Sequence, residues 1–371
     1  MATEKKAEQF EFQSEVKQLL DILVYSLYKH KEVFLRELVS NAVDALNKVQ
    51  FQLLTETDLD EKDSELKINI DFDKKNNKLI VEDSGIGMTK DEIIENIGTI
   101  AHSGTVDFLK KVSEAKEENQ VDMIGKFGVG FYASFMVAEE IHLYTKSYKK
   151  GSKGYVWKSQ GTKDYSIEES DKKTRGTRIE LILKKDEEKE FLEEYRIKNI
   201  LSKHSKFVPF TIYVGKDKIE SSPAIWTQPK SSLKKEDYDS LYKFLENSQE
   251  EPETYIHLSS DAPVQFNAIL YIPKTSFEKI GLFKATPGVD IYSKKIMIQK
   301  ESKDIMPEYL RFVKGVIDSE DIPLNISRED IQNNIKIDKI KKHVLKKLFD
   351  HLNDIKKKDF DKYKKIWDNF M

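Results

Sequence analysis

Three short stretches of this sequence hold the residues able to do chemistry. In the first, FLRELVSNAVDALNKVQF, Glu37, Asn41, Asp44 and Lys48 stand at i, i+4, i+7 and i+11. At 100° per residue they share a helical stripe about 60° wide. Leu38, Val39, Ala42, Ala45, Leu46 and Val49 fill a broad apolar arc beside it. A carboxylate and an amide on such a stripe can serve a cavity as proton acceptor and polar ligand. The same pattern also describes a solvated face with an Asp44/Lys48 ion pair. In the second stretch, Asp83 ends an apolar run and is followed by Ser84-Gly85-Ile86-Gly87-Met88. Glycines there let backbone approach a ligand closely, and the carboxylate can accept a hydrogen bond from the exocyclic amine of a base. A plain loop with an Asx turn is the alternative. In the third, Gly125-Lys126-Phe127-Gly128-Val129-Gly130 precedes FYASFMVAEE, which reads as a helix. Amides freed of side-chain bulk at a helix N-terminus suit a phosphate.

Other chemistries find little to stand on. No G-x-x-x-x-G-K-[ST] occurs, so a P-loop is excluded. Gly128 to Ala133 imitates a dinucleotide fingerprint, yet about twenty residues on stand Lys149 and Lys150 rather than an acid. The seven histidines form no H-E-x-x-H, and no G-x-S-x-G is present. Without a single cysteine, thiolate metal sites, disulfides and cysteine nucleophiles drop out.

The elements that must hold these stretches are legible from periodicity. Helices are expected over 14–28 and from about 32 to 53. Segments 66–72 and 78–83 read as a hairpin turned at Asn76-Asn77. Short helices are expected at 90–97 and 104–115, strands at 141–146, 154–159 and 177–183, and a charged helix over about 187–206. A polar stretch at 216–224, containing Pro223, is the best domain boundary. Beyond it, strands are expected at 264–272 and 289–298 and helices at 235–247, 307–317 and 328–355.

At 371 residues the chain is too long for one small domain, with a prior of about two and a half. Its 15 glycines and 9 prolines are too few for a linker or collagen-like protein. Seven of those glycines lie between 85 and 130. The net charge is −3, but residues 336–371 hold twelve Lys against six Asp, a net +6, so residues 1–335 carry −9. A basic tail invites a nucleic-acid or membrane reading. The helical spacing of Ile337, Ile340, Val344, Leu348, Leu352 and Ile355 favours an amphipathic helix with lysines on its wet face. The aromatic residues Trp226 and Trp367 read as core, with client contact as the alternative.

Taken in this order, the three stretches resemble the ATP-binding fold shared by type II topoisomerase ATPase subunits, mismatch-repair MutL proteins, sensor histidine kinases and the ninety-kilodalton heat-shock chaperones. FLRELVSNAVDAL, EDSGIGMTKDEIIENIGTIAHSGT, MIGKFGVGFYASFMVA and TRGTRIEL are similar to motifs of the last group, as are AIWTQPKSSLKKEDYDSLYKFL and IPLNISREDIQNN in the second half. The start QSEVKQLLDILVYSLY resembles its bacterial type. The resemblance covers essentially the whole chain.

It implies an α+β protein. Residues 1–215 would be a two-layer α/β sandwich ATPase domain of the Bergerat fold and 216–224 a short linker. Residues 225–371 would be part of an αβα middle domain with amphipathic helices, the family's C-terminal dimerisation domain being absent from this chain. Glu37 would act as general base, and Asn41 would hold Mg²⁺ on the phosphates. Asp83 would bind the adenine amino group with Thr177. Ala45, Gly87, Met88 and Asn96 would line the nucleoside pocket, with Asp44 and Lys48 at its edge. The amides of Gly128, Val129, Gly130 and Phe131 would cradle the phosphates under a lid spanning about 98–125. Arg328 would reach the γ-phosphate with Gln332 nearby. Lys126 stands where the family pattern has Gln, which is expected to tighten ATP binding slightly. By resemblance the chain is an ATP-dependent, cytoplasmic chaperone using ATP and Mg²⁺, weakly active at this length. It would bind unfolded clients and belong to a homodimeric family, with no nucleic-acid or membrane partner. A DNA-acting relative and a nucleotide-binding module without turnover are the alternatives.

Overall fold

The computed structural model describes residues 8–11, 30–55, 64–98, 129–162, 164–276, 278, 289–322 and 335–370. The chain divides into two compact units, Met1–Ser221 and Ser222–Met371.

In the first unit, the described residues form one nine-stranded sheet. Its strands are β1 (Glu8–Glu11), β2 (Lys67–Asp73), β3 (Lys78–Asp83), β4 (Ala138–Lys146), β5 (Gly154–Ser159), β6 (Asp164–Ser170), β7 (Gly176–Leu183), β8 (Thr211–Val214) and β9 (Asp217–Lys218). The order is β1-β6-β5-β4-β7-β3-β2-β8-β9, antiparallel throughout except for the β2–β8 pair. The expected β2–β3 hairpin is present, with Asn77 in the left-handed region at φ +55°. Strict alternation puts Leu79, Val81 and Asp83 on the buried side of β3 while Lys78, Ile80 and Glu82 face the other way.

The long helix α1 (Val33–Thr55) covers the inner face of this sheet, packing on β2 and β3. Phe34, Leu35, Leu38, Val39, Leu46 and Val49 are almost completely buried. Each such side chain removed from water contributes about 1.5–3 kcal/mol, so the apolar arc fixes which way the polar stripe points. The approach to α1 is pinned by charge. The Glu32 carboxylate meets Arg196 Nη2 at 3.0 Å and His204 Nε2 at 3.4 Å, with Lys203 beside them. The His204 hydrogen bond and these cations hold Glu32 well below the usual carboxylate range.

Two expectations need correction in this unit, and strand β6 has no expected counterpart. The charged helix is two helices, α3 (Glu188–Phe191) and α4 (Glu194–His204), because Phe191 turns inward to meet the Phe34 ring edge-on at 5.1 Å. In β6, DYSIEES, only Tyr165 and Ile167 turn inward, too short an alternation to stand out in the sequence. FYASFMVAEE does not form one helix: Val129–Met136 is a 3-10 helix and Ala138 already begins β4. The expected helix at 14–28 and the one at 104–115 lie outside the described residues. The short helix α2 (Lys90–Asn96) forms as expected, its Thr89/Glu92 capping box closed.

In the second unit, the described residues give a five-stranded sheet ordered β10-β11-β14-β12-β13. These strands are β10 (Thr254–Ser260), β11 (Phe266–Ile272), β12 (Val289–Ser293), β13 (Ile296–Ser302) and β14 (Lys314–Asp318). Helices α5 (Lys235–Glu246), α6 (Ile335–Lys358) and α7 (Phe360–Phe370) accompany them. The expected single strand 289–298 is a hairpin that turns at Lys294 and Lys295, both at positive φ. The expected helix 307–317 is instead a 3-10 turn, Glu308–Leu310, followed by β14 between β11 and β12. Gly315 lets β14 close on β11, since a Cβ there would collide with the Ile269 carbonyl. The amphipathic reading of the tail holds, with Ile337, Ile340, Val344, Leu348 and Leu352 buried on α6. Trp226 is core, donating from Nε1 to Asp318 Oδ2 at 2.9 Å, whereas Trp367 is half exposed. No helix among the described residues is long and apolar enough to cross a membrane.

Candidate active site

The polar stripe of α1 runs from buried to open. Glu37 is only 5 % exposed, Asp44 and Ala45 are half-buried, and Asn41 and Lys48 are exposed. The Glu37 carboxylate is held asymmetrically. Its Oε1 accepts from Arg36 Nη2 at 2.8 Å and Nε at 3.2 Å. Its Oε2 faces Gly130, where an added Cβ would sit 2.5 Å away. A side chain there would push the Glu37 carboxylate aside, so glycine keeps the 3-10 segment close to it in its present position. The next residue, Phe131, is buried against Trp157 with ring centroids 5.7 Å apart, anchoring that segment to β5.

Eight residues along α1, about 12 Å by helical rise, Ala45 meets the second stretch. Ile86 N donates to Ala45 O at 3.1 Å. A Cβ on Gly85 would come within 2.7 Å of Ala45 Cβ and 2.6 Å of Asp83 Oδ1. Gly87, at φ +61°, has no room for a Cβ against the Lys146 carbonyl. These glycines are thus required by close approach to α1 and β4, a demand internal to the protein, whereas the sequence pattern suggested approach to a ligand. Met88 N donates to Thr145 Oγ1 at 2.9 Å, and Thr145 Oγ1 lies 3.0 Å from Thr177 Oγ1.

Asp83 closes β3 directly opposite Thr177 of β7. It is buried, and its Oδ1 accepts from Gly85 N at 2.8 Å and Thr177 N at 3.4 Å. Burial pushes its carboxyl up to about 7, although both backbone bonds oppose the shift. The group is therefore a buried acceptor favoured first by backbone N–H dipoles and then by the charge of Lys172. It also borders a cavity of about 320 Å3 lined by Lys67, Asn69, Glu82, Ser84 and Arg175.

The fold accordingly brings together two clusters along α1. One joins Asp83, Ala45, Gly85, Gly87, Met88, Thr177 and the unforeseen Thr145; the other joins Glu37, Gly130 and Arg36. Asn96 lies exposed on α2. Val129 opens the 3-10 helix. Lys126, Gly128, Arg328, Gln332 and residues 99–125 of the expected lid lie outside the described residues. Arg36 and Thr145 escaped sequence reading because neither a charged neighbour of a carboxylate nor a strand threonine is distinctive. The β4–β7 pairing, which sets Thr145 opposite Thr177, was the only available signal for the latter.

Residues 28–190 match the family described as "Histidine kinase-, DNA gyrase B-, and HSP90-like ATPase", and residues 215–371 match the family described as "Hsp90 protein". The chain is 44 % identical over 360 residues to Chaperone protein HtpG of Desulfitobacterium hafniense, an alignment covering 97 % of this chain and 58 % of the relative. Chaperone protein HtpG of Chlorobaculum tepidum is also 44 % identical, over 370 residues, with 98 % and 58 % covered. The mitochondrial TNF receptor-associated protein 1 homolog of Dictyostelium discoideum is 44 % identical over 358 residues, with 96 % and 50 % covered. The chain thus spans somewhat over half the length of the HtpG relatives. With an α+β ATPase-type unit followed by an Hsp90 segment, and with this identity along nearly its whole length, the chain belongs to the Hsp90 family.

Proposed function

We propose that the first unit binds ATP and hydrolyses it to ADP and phosphate, and that the chain works as an ATP-dependent chaperone of the bacterial HtpG type. The observation that carries this reading is the pair of buried carboxylates at two stations of α1. Asp83, with one oxygen satisfied by backbone amides, suits the adenine amino group, and Thr145 and Thr177 line the same end. Glu37 stands about two helical turns away, where the phosphates of an extended nucleotide would reach.

Glu37 Oε2, the oxygen away from Arg36, would orient a water and take its proton. That water's oxygen bonds to the γ-phosphorus, and the bond from phosphorus to the β,γ-bridging oxygen breaks to release ADP. The residues present fit a divalent cation on the phosphates: Asn41 offers an exposed neutral oxygen donor one turn from Glu37, matching a Mg²⁺ that takes most of its ligands from phosphate and water. Bound there, the cation would neutralise charge developing on the phosphates. Gly130 and Phe131 would supply backbone N–H donors beside Glu37, as would Gly128 and Val129. Asp44, Lys48 and Asn96 would border the nucleoside, Arg328 and Gln332 would act at the γ-phosphate, and residues 98–125 would close over it. Residues 1–215 form the ATP-binding domain in this reading, 216–224 a linker and 225–371 part of a middle domain. Unfolded proteins are the expected clients and the cytoplasm the expected location.

Calorimetric titration with ATP and Mg²⁺, comparing the chain with Asp83→Asn, tests the site. Measurable binding that the substitution abolishes supports the reading, and equal binding by both proteins overturns it.

A further inference from the structure

The segment Arg175-Gly176-Thr177 meets the Asp83 turn from two sides. Arg175 is among the most buried large side chains of the molecule, 2 % exposed. Its Nη1 donates to the carbonyl of Ser84, and more distantly to that of Gly85 at 3.4 Å. Two residues on, Thr177 N donates to Asp83 Oδ1. Gly176, at φ +98°, allows the segment this close, because a Cβ there would collide with the Asp83 carbonyl.

The Ser84 carbonyl and the Gly85 N–H belong to one planar peptide unit. Arg175 grips one end of that plane, and the other end donates to Asp83 Oδ1 at 2.8 Å. A guanidinium on the carbonyl both fixes the plane's orientation and polarises the N–H into a stronger donor. Burying a cation is costly unless its donors are used, and here its acceptors are the two carbonyls that immediately follow Asp83. We propose that Arg175 is a positioning residue for base recognition: through the Ser84–Gly85 peptide it orients the Asp83 carboxylate, so that Oδ1 is taken up by backbone and Oδ2 is presented to the ligand's amino group. This rests on the reading of Asp83 as the adenine acceptor.

The experiment compares the affinities of the whole chain for ATP and for inosine triphosphate, which carries a carbonyl where adenine carries its amino group. Arg175→Met is expected to lower ATP affinity about tenfold and inosine triphosphate affinity less than about twofold, so that the preference for ATP collapses, while Arg175→Lys, which keeps one donor, retains part of it. Loss of packing alone would weaken both nucleotides together and leave their ratio intact. A wild-type ratio in Arg175→Met, or in Arg175→Lys should the first variant not fold, overturns the proposal. Asp83→Asn separates the two levels. If it abolishes the preference while the Arg175 variants keep it, only the positioning role fails. If it leaves the preference unchanged, base recognition by Asp83 fails and takes the proposal with it.

Discussion

Glu82 and Asp83 are neighbours in one strand and belong to opposite faces of the sheet. On the outer face, Glu82 binds Lys172 at 2.7 Å, Glu180 binds Lys78 and Arg178 at 2.8 Å each, and Glu168 binds Lys158. Glu82, Glu168, Glu180, Lys158, Lys172 and Arg178 line a groove of about 590 Å3, and each of these three carboxylates is answered by a cation. Its hydrogen bond with Glu180 raises Lys78 above its ordinary value. On the inner face, burial raises Asp83 instead, and the backbone N–H groups of Gly85 and Thr177 donate to it. The outer groove therefore carries charge that is already neutralised, while on the inner face the Asp83 carboxyl accepts from backbone N–H groups. Whether a carboxylate is already paired with a cation is the better guide to its chemistry.

The contrast can be broken or sharpened by experiment. The largest effect is expected from Glu37→Ala, which should cut ATP turnover by about 10²–10⁴-fold while leaving nucleotide affinity within a few-fold. Turnover that survives the substitution removes the general-base role. Asp83→Asn comes next, since a hydrogen bond to a charged group is worth about 1.5–3 kcal/mol, or roughly 10–150-fold in the calorimetric dissociation constant.

A smaller effect concerns pH. Because the folded Asp83 carboxyl is raised from 3.8 to about 7, its contribution to stability is present below pH 4 and is lost as pH rises through 7. The unliganded chain should therefore lose melting temperature over that window relative to Asp83→Asn, by about 2–4 °C for each kcal/mol involved. Parallel melting curves of the two proteins from pH 5 to 8 would contradict the raised value. The smallest effect belongs to Glu82→Gln. A partly exposed ion pair is worth about 0–1 kcal/mol, so melting should move little and ATP affinity not at all. If Glu82→Gln weakened nucleotide as Asp83→Asn does, the two faces would not differ as described.

Much of the first unit was legible because its local patterns agree with its tertiary demands. The arc from Leu38 to Val49 and the β2–β3 alternation each dictate a buried side, and those sides face each other. Reading failed where tertiary position overrode local preference. MPEYLRFVKGVID has helical spacing, yet β14 is drawn between two strands of a buried sheet. IYSKKIMI reads as one strand, yet two lysines turn it back on itself. The 3-10 geometry of Val129–Met136 likewise answers to Glu37 and Trp157, which lie far away in sequence.

The sequence alone determined the hairpin and long helix of the first unit, the stripe that carries Glu37, and the family resemblance, because short motifs encode their own spacing. Only the tertiary structure decided what those residues touch. It turned Gly85 and Gly87 from ligand-facing gaps into contacts with Ala45 and Lys146, and it paired Arg36 with Glu37. It also carried Arg175 some ninety residues along the chain to the peptide after Asp83. Partners of that kind are set by strand register and by the burial of a helix face. Both are long-range properties, and no local pattern records them.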